Sequence, residues 1–320
     1  MRLFSGTHSH EEQTGVSVIR LDDTNSGAVA SAIAAERHRQ GSPATGMVLT
    51  LLILADEECQ SDATAAAVSA AREHPMRVVT LIPRPGRVKP TLDAEIAVGG
   101  DDGPGEITVL RLRGELSNHA NSVAIPLLLS DTPVVAYWPS TAPQVPAEDP
   151  IGKHAQRRIT DSAMCDDPMA ALHYRATGYR PGDSDLTWTR TTPWRSALAA
   201  AFDRPTQGVE RIRIIAETAN PSAALLKTWL QVRLQCPVEW EKSADQGISS
   251  VSILSNEGEL TIQRLHGSHA ILRRPFSPDA PITLPDRELS LLLSEELRRL
   301  DPDDIYGEII QAFGSTERSL

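Results

Sequence analysis

The sequence predicts an α/β protein. A layered sheet with a βαβ unit forms the N-terminal domain, and a second α/β (α+β) domain follows with an antiparallel meander and C-terminal helices. Three observations carry this. Two apolar runs, residues 47–56 and 76–84, flank the alanine-rich segment 62–75, which is the pattern of two buried parallel strands joined by a crossover helix. Residues 248–255, 259–267 and 269–276 alternate in period two and are broken by short Gly-containing turns, as in a meander with one wet face. The leucines of residues 286–313 recur at helical spacing, and Pro302 splits that stretch into two helices.

The remaining elements follow in order. Residues 26–39 form a helix on Val29 and Ile33, with Asn25 or Ser26 as cap. The run at 47–56 is too short for a membrane span and is central to its sheet. Residues 92–100 alternate as an edge strand, 107–112 are a strand, 119–129 a helix interrupted by Pro126, and 131–139 a short buried strand. Three prolines in residues 140–150 mark a boundary or an exposed arm. Residues 151–164 and 168–179 are expected to be helical, and 182–202 opens as a loop and becomes a helix capped by Thr192 with Pro193 at its first position. A strand at 211–217, a helix at 221–234 and a strand at 237–242 precede the meander. At 320 residues the chain exceeds one core. It divides into an N-terminal extension with the first helix (1–46), an N-terminal α/β domain (47–160) and a C-terminal α/β domain (161–320).

Composition narrows the function. A formal charge of −11 repels nucleic-acid phosphates and anionic lipid, so neither nucleic acid nor membrane is an expected partner. The first fifteen residues lack an apolar segment of secretory type, and the expected compartment is the cytoplasm. Cys59, Cys165 and Cys236 are odd in number and far apart, which fits reduced thiols better than a disulfide framework or a zinc site.

Catalytic motifs are weak. The stretch 99–106, GGDDGPGE, lacks the lysine of a phosphate loop, carries three acids and precedes a strand, so it reads as a turn. His8 and His10 alternate beside two glutamates, but no third imidazole is near and a terminal tail is the simpler reading. His266 and His269 flank a hairpin turn and read as solvated. The acid runs 56–58 and 301–304 read as solvated helix ends. No GxSxG elbow surrounds a serine. No catalytic residue, cofactor site or metal site is assigned, and the chain is read as a binding protein, not an enzyme.

One concentration of residues suggests recognition. Tryptophan, arginine and acid mix in residues 137–139, 149–161 and 185–195. Tryptophan and arginine dominate interface anchors, which nominates Trp138, Trp188 and Trp194 as apolar anchors and Arg157, Arg158, Arg190 and Arg195 as charged contacts. Packing at a domain seam is the alternative for the tryptophans. Two adjacent guanidinium groups need acid partners if buried, and Asp161 or Asp149 could serve one of them.

The segments 71–79, 99–116, 125–139, 149–162, 185–195 and 294–306 together resemble the glucose-6-phosphate dehydrogenase assembly proteins, the OpcA family in its actinobacterial form. The resemblance extends from about residue 47 to 306. It implies a non-catalytic partner that binds glucose-6-phosphate dehydrogenase and promotes its active oligomer, an allosteric activator in the NADPH-forming pentose phosphate pathway. The resemblance to cyanobacterial relatives implies redox responsiveness through cysteines, but the three cysteines here match no regulatory pair. The partner surface expected on that basis comprises Trp138, Arg157, Arg158, Asp161, Trp188, Arg190, Trp194 and Arg195. The rival reading is a sugar-phosphate enzyme or effector sensor that uses an arginine-rich interdomain pocket.

Overall fold

The computed structural model describes residues 17–40, 47–99, 105–202 and 208–317. The chain divides into two units, residues 1–160 with 289–302 and residues 161–288 with 303–320.

In the first unit, β1 (Ser17–Leu21) and α1 (Ser26–Gln40) precede the predicted βαβ unit of β2 (Leu49–Leu54), α2 (Gln60–Ala70) and β3 (Met76–Arg84). Asn25 accepts the amide of Ala28 and starts α1. Then come β4 (Thr91–Val98), β5 (Glu106–Arg113), the single turn α3 (Ala120–Ala124), β6 (Val134–Trp138) and β7 (Arg157–Thr160). The strand order within the unit is β1-β4-β5-β3-β2-β6-β7. β2, β3, β5, β6 and β7 run parallel, while β4 is antiparallel to both β5 and β1.

Strand alternation sorts the side chains between two faces. Leu52, Val79 and Leu81 pack with Val29 and Ile33 of α1 and Val123 of α3. On the other face Thr80 meets Thr64 of α2 through a 2.8 Å hydroxyl contact. A helix from far along the chain, Leu289–Leu297, packs against α2, and His74 Nε2 lies 3.1 Å from the Ser294 carbonyl.

The second unit contains α4 (Pro168–Gly178), β8 (Asp183–Asp185), α5 (Leu186–Thr189), α6 (Thr192–Ala201), β9 (Val209–Glu217), α7 (Pro221–Leu234) and β10 (Val238–Ser243). The meander is β11 (Ile248–Ser255), β12 (Gly258–His266), β13 (His269–Arg273) and β14 (Ala280–Thr283). The helix returned to the first unit is α8, and α9 (Asp304–Glu317) follows it. A six-stranded sheet runs β10-β9-β11-β12-β13-β14. β9 and β10 are parallel around α7, and all other pairs are antiparallel. Asn220 accepts the Ala223 amide and Pro221 fills the first position of α7, the expected start for a helix. α9 packs on α7 and α4. At Gly307 the approach is so close that a Cβ would lie 2.4 Å from the Tyr179 hydroxyl.

Five local expectations are corrected. Residues 92–100 are not an edge, because β1 pairs outside β4. Residues 151–164 are not helical: β7 lies within them, since pairing with β6 overrides a composition without strand preference. Residues 119–129 give one α-helical turn between 3₁₀ turns. Residues 140–150 fold into the first unit, with Pro146 buried in a 3₁₀ turn. The helix with Pro193 in its first turn starts at Thr192, one residue earlier than the capping expectation, so Thr191 and not Thr192 is the cap, and Thr191 donates its hydroxyl to the Trp188 carbonyl. The glycine-rich turn at Gly100–Pro104 and the pair His8 and His10 lie outside the described residues.

Candidate functional site

The residues singled out in the sequence separate into two groups. Trp138, Arg157 and Arg158 belong to the first unit. Trp138 ends β6 inside the apolar core. Arg157 donates from Nε to Glu296 Oε2 at 3.1 Å and from Nη2 to the same oxygen at 2.5 Å, and its Nη1 reaches the Asp301 carbonyl at 2.8 Å. Both side chains of that ion pair are 5% exposed. Arg158 is buried as well, and donates to the Ala155 carbonyl at 2.8 Å. An exposed placement for these three is therefore corrected. The acid that balances Arg157 lies 139 residues away, beyond the reach of local spacing. Asp149 instead closes a turn, accepting the amides of Ile151 and Gly152.

Asp161, Trp188, Arg190, Trp194 and Arg195 come together in the second unit. Asp161 Oδ1 and Oδ2 accept Arg190 Nη1 and Nη2 at 2.6 and 2.8 Å, a fork that fixes the guanidinium plane. The carboxylate is 1% exposed while the arginine side chain is 28% exposed. Asp185, at the start of α5, accepts the Ser162 hydroxyl at 2.6 Å and the Thr187 amide at 2.8 Å. Trp188 is buried between Tyr306 and the guanidinium of Arg195, which stacks 3.7 Å from its ring centre. Its indole nitrogen donates to Asp303 Oδ2 at 3.1 Å, and Asp303 Oδ1 accepts the Tyr306 amide. Asp303 is not the solvated helix-end acid that its run of acids suggests. It is in fact the internal acceptor that fixes Trp188. Arg195 also donates to the Thr191 and Thr192 hydroxyls at 2.9 Å each. Trp194 is buried in the core of the meander sheet.

The logic of the cluster is that buried aromatics and acids hold partly exposed arginines. Burial raises the Asp161 carboxyl to about 6, opposed by the Arg190 hydrogen bonds and charge and reinforced by Asp185. Burial, with Asp185 and Asp161, pushes the Cys165 thiol up to about 11, and burial also raises Cys59. Such thiols carry little thiolate at neutral pH. Asp56 resists the upward push of burial because the amides of Cys59 and Glu58 and the Ser140 hydroxyl donate to it, which leaves it below the usual carboxylate range. His266 and His269 stack on each other at the β12–β13 turn, 5.0 Å between centres. Among the described residues no group of three His, Cys, Asp or Glu side chains could hold a metal ion, and no helix is long and apolar enough to cross a membrane.

The fold is that of a two-unit α/β protein in which a buried acid and a buried tryptophan hold two partly exposed arginines. Family comparison then gives the identity of the class. Residues 67–177 match the model of the glucose-6-phosphate dehydrogenase subunit N-terminal domain and residues 181–310 the model of its C-terminal domain. The chain belongs to the OpcA family of glucose-6-phosphate dehydrogenase assembly proteins. No curated protein matches it in sequence. It is similar in fold to a 3-ketoreductase from Actinomadura kijaniata (TM-score 0.46, 9% identity, 84% of this chain and 96% of that chain). It is similar also to an oxidoreductase from Sinorhizobium meliloti (TM-score 0.48, 10% identity, 84% and 95%). A dehydrogenase from Clostridium difficile gives a TM-score of 0.44 at 6% identity over 85% and 99% of the two chains. At these values the likeness says nothing about chemistry.

Proposed function

We propose that this protein is a non-catalytic partner of glucose-6-phosphate dehydrogenase that binds the enzyme and favours its active oligomer. The observation that carries the reading is that both halves of the chain match domains of one family defined by that enzyme. The mechanism is differential binding. A partner with greater affinity for the active form shifts the population by that difference, and a tenfold shift needs only about 1.4 kcal/mol.

The contact surface in this reading centres on Arg190 and Arg195. Both are partly exposed, and each is pre-positioned from within, Arg190 by Asp161 and Arg195 by Trp188. Trp194 supports the same region from the core. Pre-positioning reduces the ordering cost of binding, and arginine is well suited to pair with carboxylates on an enzyme surface. The test mixes this protein with the dehydrogenase and follows co-elution, oligomer size and activity. Co-elution with raised activity is expected, and Arg190→Gln with Arg195→Gln should weaken the association about tenfold or more. Two proteins that elute separately, with unchanged oligomer size and activity, would sink the reading.

A further inference from the structure

The second unit contains a cleft of about 220 Å³ lined by Arg190, Arg264 and Arg287, with Asp286 as a lining carboxylate. Three guanidinium groups therefore face one acid in the lining. Two of the arginines are held in place by carboxylates, Arg190 by one behind the cleft wall and Arg264 by the one in the lining. Arg190 is forked onto the buried Asp161. Arg264 donates from Nη1 to Asp286 Oδ1 at 2.6 Å and to the Gly267 carbonyl at 3.0 Å, and its guanidinium lies 5.8 Å from the Trp194 ring centre. The side chains come from α5's C-terminal end, from β12 and from the segment after β14, so the convergence is tertiary. Asn220 and Ser222 bring the start of the 14-residue helix α7 to the same wall, whose dipole adds to the positive field. Ile248 and Pro285 supply apolar surface.

We propose that this cleft binds a small phosphate-bearing metabolite, its phosphate on Arg190, Arg264 and Arg287 and its carbon skeleton against Ile248 and Pro285. A guanidinium has five N–H donors, so Arg190 and Arg264, held by part of theirs, have others to offer to phosphate oxygens. The volume lies below the roughly 300–1,000 Å³ of sites for drug-sized ligands, which suits a monophosphorylated sugar. The proposal shares Arg190 with the contact surface proposed above, but it is tested on this chain alone and its variants at Arg264 and Arg287 lie outside that surface.

The experiment is calorimetric titration of the full chain, at constant ionic strength, with inorganic phosphate, a hexose monophosphate and the same hexose without phosphate. The hexose monophosphate should bind more tightly than inorganic phosphate, and the bare hexose at least about tenfold more weakly than its phosphate ester. Arg287→Gln alone should weaken binding, and Arg264→Gln with Arg287→Gln should weaken it by about tenfold or more, with circular dichroism melts to confirm that both variants fold. Arg273→Gln removes an equal charge from an exposed pair with Asp279 and should leave binding unchanged. The proposal is overturned if the hexose monophosphate gives no saturable heat, if inorganic phosphate binds equally well, or if Arg273→Gln weakens binding as much as Arg287→Gln.

Discussion

The two units use the arginine–carboxylate pair to opposite ends. In the first, Arg157 and Glu296 are equally sealed, each 5% exposed, and the pair ties β7 to a helix made 139 residues later. In the second, Asp161 is sealed while Arg190 keeps more than a quarter of its side chain open. The first arrangement is a fastening and the second a mount. What separates them is the asymmetry of burial, since both are arginine–carboxylate pairs.

Breaking the fastening should cost most. Arg157→Ala leaves the Glu296 carboxylate buried without its countercharge, and urea unfolding should show a loss of about 3–5 kcal/mol. A destabilisation near zero would place the pair with surface ion pairs. In the second unit the comparable loss comes from the aromatic support: Trp188→Ala empties a fully buried site against Tyr306 and should cost about 3–5 kcal/mol by the same measurement.

The mount also titrates. The folded Asp161 sits at about 6 against 3.8 in its unperturbed state, so the folded chain binds this proton more tightly than the unfolded chain. Its contribution is fully present below pH 3.8 and is lost as pH rises through about 6. About two pH units correspond to roughly 3 kcal/mol. Asp161→Asn removes the titration, so its unfolding free energy relative to the parent should climb by up to that amount between pH 4 and 7. A constant difference across that range would show that Asp161 ionises normally. The smallest effect belongs to the outermost contact. Arg195→Gln gives up the stacking on Trp188 and should cost about 1 kcal/mol or less, while its effect on dehydrogenase association should be larger than its effect on stability.

Much of the fold was legible because it follows from period and punctuation. The βαβ unit, the strand–helix–strand run around α7, the meander and the break at Pro302 each rest on a local pattern that tertiary contacts reinforce. The failures share one cause. β7 is four residues long, RRIT, and is a strand because β6 offers it an edge and Glu296 takes its arginine. β4 loses its edge to β1, and α8 joins the first unit across the whole second sheet. The candidate site was half legible. Composition nominated Asp161, Trp188, Arg190, Trp194 and Arg195, but Asp161 was offered to Arg157 or Arg158 and serves Arg190, and Asp303 and the other arginines of the cleft come from remote segments. Asp303 lies 115 residues from Trp188 and Asp161 29 from Arg190, and Arg264 and Arg287 carry no local signal that sets them apart from other surface arginines.

The return of α8 to the first unit also fixes an order of events. During synthesis the first unit emerges without the helix that packs on α2 and without the acid that neutralises Arg157, because residues 161–288 must be made first. At about 5 to 20 residues per second that interval is on the order of ten seconds. During it the α2 surface and a buried arginine both lack their native cover. The nascent chain is therefore exposed to misassociation at a stage when most of its first sheet already exists, and a fragment ending at residue 160 would be trapped in that state permanently.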